Sequence, residues 1–218
     1  MKMVRAVVLA AALGATAAVG AAAQPVIGFR LGVSTSKGDF ENPEFVAADR
    51  SWLTSFIGGG FIRFGAGTIA LQPELMYVTK GVKFEDETSD DDASIQLDYV
   101  EVPVLLYVGL GTGAATPYVV AGPAFAFETK CREEFNIGSI NFEGDCDESE
   151  EGAPDRKKFD VGAMFGAGLA FPAGPGSLVI DGRYNLGLMN IIDDETDDEF
   201  KHRAFSFTAG YQIPLGLR

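Results

Sequence analysis

The feature that most limits what this chain can fold into is a two-residue alternation in its final segment, "AFSFTAGYQIPL" (204–215). Phe205, Phe207, Ala209, Tyr211, Ile213 and Leu215 fall on one side, and Ser206, Thr208, Gly210 and Gln212 on the other. A period of two is that of a β-strand, not of a helix. The same alternation recurs upstream. Leu178, Ile180, Tyr184, Leu186 and Leu188 oppose Val179, Asp181, Arg183, Asn185 and Gly187. Phe159, Val161, Ala163, Phe165, Leu169 and Phe171 oppose Asp160, Gly162, Met164, Gly166 and Gly168. Val100, Val102, Val104, Leu106 and Val108 oppose Tyr99, Glu101, Leu105 and Tyr107. No helical period appears after residue 23.

Strands are expected near 26–35, 52–64, 68–80, 95–108, 117–128, 158–171, 177–189 and 203–215. Their connections alternate in length. Long ones follow the first, third, fifth and seventh strands. Short ones, "GAG" (65–67), "GLGTGAAT" (109–116) and "PAGPG" (172–176), follow the second, fourth and sixth. An up-and-down meander gathers the long loops at one end and the short turns at the other, the asymmetry of an outer-membrane barrel. Facing separates this from a soluble barrel. An eight-stranded barrel has an interior just wide enough for side chains, so the bulky face must point outward, where only lipid can cover it. A secreted lipocalin-like ligand carrier would show the reverse, an apolar lumen and a polar exterior. The expected fold is therefore an all-β, eight-stranded antiparallel up-and-down transmembrane β-barrel. "GGG" at 58–60 and Pro123 blur the facing of the second and fifth strands, which is left unassigned.

The N-terminus fits this destination. Lys2 and Arg5 precede an apolar run from Ala6 to Val19, and Ala21 and Ala23 stand before Gln24. That is the order of a secretory signal peptide with cleavage after Ala23, and the run is shorter than the roughly 20 residues of a spanning helix. Residues 1–23 are thus expected to be a signal peptide and 24–218 the barrel domain. Gly109, Gly111 and Ala114 match a GxGxxA spacing, but a dinucleotide site needs a helix whose N-terminus receives the pyrophosphate. Pro117 and a further strand follow instead. The match is accidental, and no cofactor is expected.

Charge is concentrated between the strands. The chain carries −14, and 25 of its 31 acidic residues lie in 36–51, 81–94, 129–158 and 190–202. Runs such as "EDETSDDD" (85–92) and "DDETDDE" (193–199) read as solvated loops. Such loops repel phosphate and exclude nucleic acid as a partner. Diffuse binding of Ca²⁺ or Mg²⁺, bridging to lipopolysaccharide, suits their carboxylates, although no spaced calcium-loop motif occurs. The two cysteines, Cys131 and Cys146, fall in one acidic stretch. In an oxidising compartment they are expected to form a disulfide, contributing about 3 kcal/mol. No metal site is expected from them, since the sole histidine, His202, is far away in sequence. His202 has acidic neighbours in Asp193, Asp194, Glu195 and Glu199, but its expected state is a solvated rim residue. GxSxG, HExxH and CxxC are all absent, so no catalytic residue and no enzyme activity are expected.

Charges inside the strands are the remaining candidates. Arg30, Glu74, Glu101 and Arg183 each lie on a lumen-facing side. Counted from the short-turn end, each falls about five to eight residues in, near the middle of a span of about 9–11 residues. Facing lipid there, a charge would cost several kcal/mol. Facing the lumen, two arginines and two glutamates can neutralise one another. A plugging charge cluster of these four residues is expected.

Four segments also carry a family resemblance: "LQPELMYVTKG" (71–81), "YVEVPVLLYV" (99–108), "PYVVAGPAFAF" (117–127) and "DGRYNLGLMNI" (181–191). They resemble the strand motifs of PorT-like outer-membrane β-barrels, common in Bacteroidetes, whose barrel architecture is shared with OmpA and OmpX. The chain departs from that pattern in ending "PLGLR", where such barrels end in an aromatic residue. The resemblance implies an outer-membrane location and, through PorT itself, a part in envelope secretion or assembly. The residues support a monomeric structural or interaction barrel contacting lipid, lipopolysaccharide and an unknown protein partner. A small channel is the competing class.

Overall fold

The computed structural model describes residues 24–40, 49–66, 68–85, 92–111, 113–137, 140–145, 158–188 and 200–216. Its strands are β1 (Val26–Phe40), β2 (Asp49–Ser51), β3 (Leu53–Ala66), β4 (Ile69–Glu85), β5 (Asp92–Gly109), β6 (Thr116–Ile137), β7 (Ile140–Asp145), β8 (Phe159–Ala173), β9 (Gly176–Gly187) and β10 (Phe200–Pro214). β1, β3, β4, β5, β6, β8, β9 and β10 pair in that order, each antiparallel to the next, and β10 returns to β1. The result is a closed eight-stranded barrel. β2 and β7 are short additions beside the outer ends of β4 and β6. Among the described residues no helix is long and apolar enough to cross a membrane, which says nothing of a crossing made by strands.

The alternation falls as the sequence dictates. On β10 Phe207 is 63% exposed and its neighbour Thr208 is 6% exposed. Phe165, Leu178, Ile180, Leu106 and Phe205 also stand outside, while Met164, Val179, Asp181, Leu105 and Ser206 are buried. The unassigned strands follow suit: Phe56 and Ile62 point out and Ile57 and Phe61 in on β3, and Val119 points out with Tyr118 and Val120 in on β6. A one-residue slip would invert every strand, which is why this pattern fixes register so firmly.

The short turns are tight. β8 and β9 meet at Ala173 and Gly176, leaving Gly174 and Pro175 as the turn, with Gly174 in the left-handed region (φ 60°) that suits glycine. The long-loop end departs from expectation. Segments 36–51, 81–94 and 129–158 were expected to be solvated loops, yet β1 runs to Phe40, β4 to Glu85 and β6 to Ile137. Continued pairing satisfies backbone groups that an irregular loop would leave to water. A small core supports the extension: Leu97 and Cys131 are buried with Tyr99, Ile57, Met76, Val78 and Ala126. The signal peptide (1–23), most of the two acidic runs (86–91 and 193–199) and Arg218 lie outside the described residues.

Candidate functional site

A packed lumen must seat large side chains beside small ones, and the register does this strand by strand. Arg30 on β1 lies between Gly59 of β3 and Gly210 of β10. Arg183 on β9 faces Gly166 of β8, where an added Cβ would come within 2.8 Å of the Arg183 Cγ. Gly168 makes the same room for the Tyr118 ring, and Gly28 for Phe61. The glycines of the small face are thus the counterparts of the bulky inward side chains.

Arg30, Glu74, Asp181 and Arg183 form one layer. Arg183 binds Glu74 through both terminal nitrogens, Nη1 to Oε2 at 2.7 Å and Nη2 to Oε1 at 3.1 Å. Its Nε donates to Asp181 Oδ1 at 2.9 Å. Arg30 Nη1 donates to Asp181 Oδ2, and Arg30 Nη2 lies 3.7 Å from Glu74 Oε1. Neutral donors complete the carboxylates: Gln72 to Glu74 at 2.7 Å, and Tyr118 and Thr208 to Asp181 at 2.7 and 2.9 Å. The Arg30 guanidinium also stacks 4.5 Å from the Phe61 ring centroid. All four charged side chains are 3% exposed or less, so the layer is desolvated and neutral as a unit.

Glu101 does not join this layer. It is registered with Met76, two residues beyond Glu74 on β4, and so stands one inward step nearer the long-loop end. There Lys80 Nζ donates to its Oε2 at 2.6 Å, and Asn185 Nδ2 lies 3.1 Å from both carboxylate oxygens. Lys80 also sits 5.3 Å from the Tyr99 ring centroid. Asp160 is buried on β8 with Oδ1 lacking a partner. Equal counts from the turns mislead because strands of a barrel are staggered, so equal count is not equal height. The fourth member of the expected cluster is instead Asp181, two residues before Arg183 and on the same face. Lys80 was missed as well, because it stands at the edge of an acidic stretch read as loop.

The remaining candidates contribute less. His202 is on β10, registered with Gly38, and its four acidic neighbours lie outside the described residues. Cys131 is buried beside Leu97, no free cysteine occurs among the described residues, and Cys146 lies outside them. Groups of His, Cys, Asp or Glu suited to a metal are absent among the described residues. On the outer wall, Asp98 accepts from Thr79 Oγ1 at 2.6 Å and from Arg132 Nη2 at 2.9 Å, with the Arg132 side chain 42% exposed.

Comparison with known proteins agrees with this architecture. Residues 22–193 match a family model described as an outer membrane protein β-barrel domain. The outer membrane protein OprG of Pseudomonas aeruginosa superposes with a TM-score of 0.51 at 12% identity, covering 88% of this chain and 97% of that one. Neisserial surface protein A gives a TM-score of 0.44 at 10% identity, over 86% of this chain and 96% of that one. The outer membrane protease OmpT of Escherichia coli gives 0.42 at 10%, over 88% and 96%. The OprG likeness is one of fold alone. No curated protein matches the chain.

Proposed function

Since the chain belongs to the outer membrane protein β-barrel domain family, we propose that it is a sealed barrel whose work is done at its surfaces. One observation carries the reading. Arg183 and Arg30 bridge Glu74 and Asp181 across the lumen, with every side chain desolvated and the aromatic rings of Phe61 and Tyr118 packed around them. Eight strands leave little lumen to begin with, and this layer occupies it. The bilayer-facing belt is the bulky apolar face, and the long connections form the cell-surface end, with residues 1–23 removed on export. The acidic outer segments then meet lipopolysaccharide through divalent cations, or meet a protein partner. The barrel acts as a monomer, without cofactor, catalysis or nucleic acid.

Planar-bilayer recording of the purified barrel tests the seal. Negligible conductance is expected; a steady, large single-channel conductance in the wild type would favour the channel reading. The four PorT-like motifs support a second reading, a component of an envelope secretion or assembly system. Crosslinking in intact cells followed by pull-down should then recover envelope secretion proteins, whereas recovery of lipopolysaccharide alone would argue against that role.

A further inference from the structure

Among the described residues the lumen's charges balance layer by layer with two exceptions, Asp160 toward the long-loop end and Arg63 toward the short-turn end. Arg30 and Arg183 meet Glu74 and Asp181, and Lys80 meets Glu101. Arg63, inward on β3 near the short-turn end, has no carboxylate at ion-pairing distance among the described residues. It is held by Tyr107 instead, through the ring, whose centroid lies 4.1 Å from its Cζ, and through a hydrogen bond to the hydroxyl. Stacking covers a face of a guanidinium and leaves its in-plane N–H edge for an acceptor.

That acceptor has a place to sit. A cavity of about 390 Å³ opens at the short-turn end, lined by Gln24, Arg63, Thr68, Tyr107, Gly109 and Thr116. Its volume falls within the usual range of small-ligand pockets, about 300–1,000 Å³. The next inward residues on β4, β5 and β6, Gln72, Leu105 and Tyr118, are buried at 2% exposure or less. A partly buried guanidinium without a carboxylate among the described residues, ringed by hydroxyls and an amide, is a complement to a small polar anion. Two coplanar oxygens match the edge of a single guanidinium, whereas a dianionic phosphate would bring more charge than one arginine balances.

We propose that this mouth is a binding site for a small polar carboxylate entering from the short-turn side, the periplasmic side in the sealed-barrel reading. The ligand's carboxylate takes the Arg63 edge, and Thr68, Thr116 and Gln24 meet its remaining polar atoms. That the site is closed toward the lumen rests on the sealed-lumen reading, which conductance tests by a separate measurement.

The test is an amide-shift titration of the isotope-labelled barrel in micelles with sodium lactate, a polar monocarboxylate, against sodium chloride at matched ionic strength. Saturable shifts are expected at Thr68, Gly109 and Thr116. Arg63→Gln should weaken the apparent Kd at least tenfold, and Thr116→Val two- to threefold. If Arg63→Gln does not fold, Arg63→Lys, which keeps the charge and loses the fork, should weaken binding about fivefold. Equal shifts with chloride, tighter binding of inorganic phosphate than of lactate, or unchanged affinity in the Arg63 variants would each overturn the assignment.

Discussion

The two charged layers of the lumen solve the same problem with different chemistry. In the layer nearer the short turns, two guanidinium forks and two carboxylates are cross-connected, so each charge has more than one partner. In the layer above, a single ammonium meets a single carboxylate, with Asn185 as its neutral support. Arginine can bridge because its donors are fixed in a plane, and lysine is a point charge on a flexible stem. The difference teaches that the first layer acts as a brace across several strands and the second as a local pair. On this view their energetics should differ.

The largest effect belongs to the brace. Arg183→Ala leaves Glu74 and Asp181 buried with only Arg30 between them, and should lower stability by about 3–5 kcal/mol. Urea unfolding of the reconstituted barrel reads this, and a loss below about 1 kcal/mol would erase the contrast. Lys80→Ala comes next, at about 1–3 kcal/mol, because Asn185 still serves the abandoned Glu101. Pairing Lys80→Met with Glu101→Gln sharpens the point: removing both charges should recover most of that loss, since replacing a buried pair by neutral groups is often tolerated. If the double variant is worse than the single, the upper layer is also a brace. The smallest effect is expected on the outer wall. Asp98 is itself buried, but Arg132 is half in solvent and an asparagine still accepts from Thr79, so Asp98→Asn should cost about 1 kcal/mol and shrink as salt rises. The two lumenal layers should show no comparable dependence on salt.

The extended outer end offers one more measurement. Cys131 is buried on β6 and the expected disulfide joins it to Cys146. Mass spectrometry without reduction should recover a peptide linked across these positions. Two alkylatable thiols in protein from oxidised envelopes would count against it.

The barrel was legible in the sequence because its signal is local and repeated: bulky outward residues such as Phe205 and Phe207 alternate with Ser206 and Thr208 over each span. The blurred strands have a physical reason. "GGG" at 58–60 gives no side chain to read, yet Gly59 is there because an added Cβ would meet the Leu75 carbonyl and Met76 of β4. The site was legible as to face but not as to height. Arg30, Glu74 and Arg183 come together, whereas Glu101 meets Lys80 because strand stagger is set by inter-strand register, which no single strand encodes. Asp181 was visible on the inward face and passed over, although two inward charges two residues apart can share one layer. Arg63 is inward on a strand whose facing the glycines concealed.

Closure has a consequence for how the chain reaches this form. β1 and β10, the first and last strands, pair along their whole length from Val26 with Pro214 to Phe40 with Phe200. Arg30 meets Asp181 across 151 residues of sequence, and Arg183 meets Glu74 across 109. Such contacts are among the most nonlocal a chain can make, and they form slowly. Until they form, the sheet has two unpaired edges and no completed network. A closure one residue out of register would turn Arg30 or Asp181 toward hydrocarbon, at a cost of several kcal/mol. The ion layer therefore serves assembly as a proofreading device: only the correct seam lets the barrel keep its charges out of the lipid.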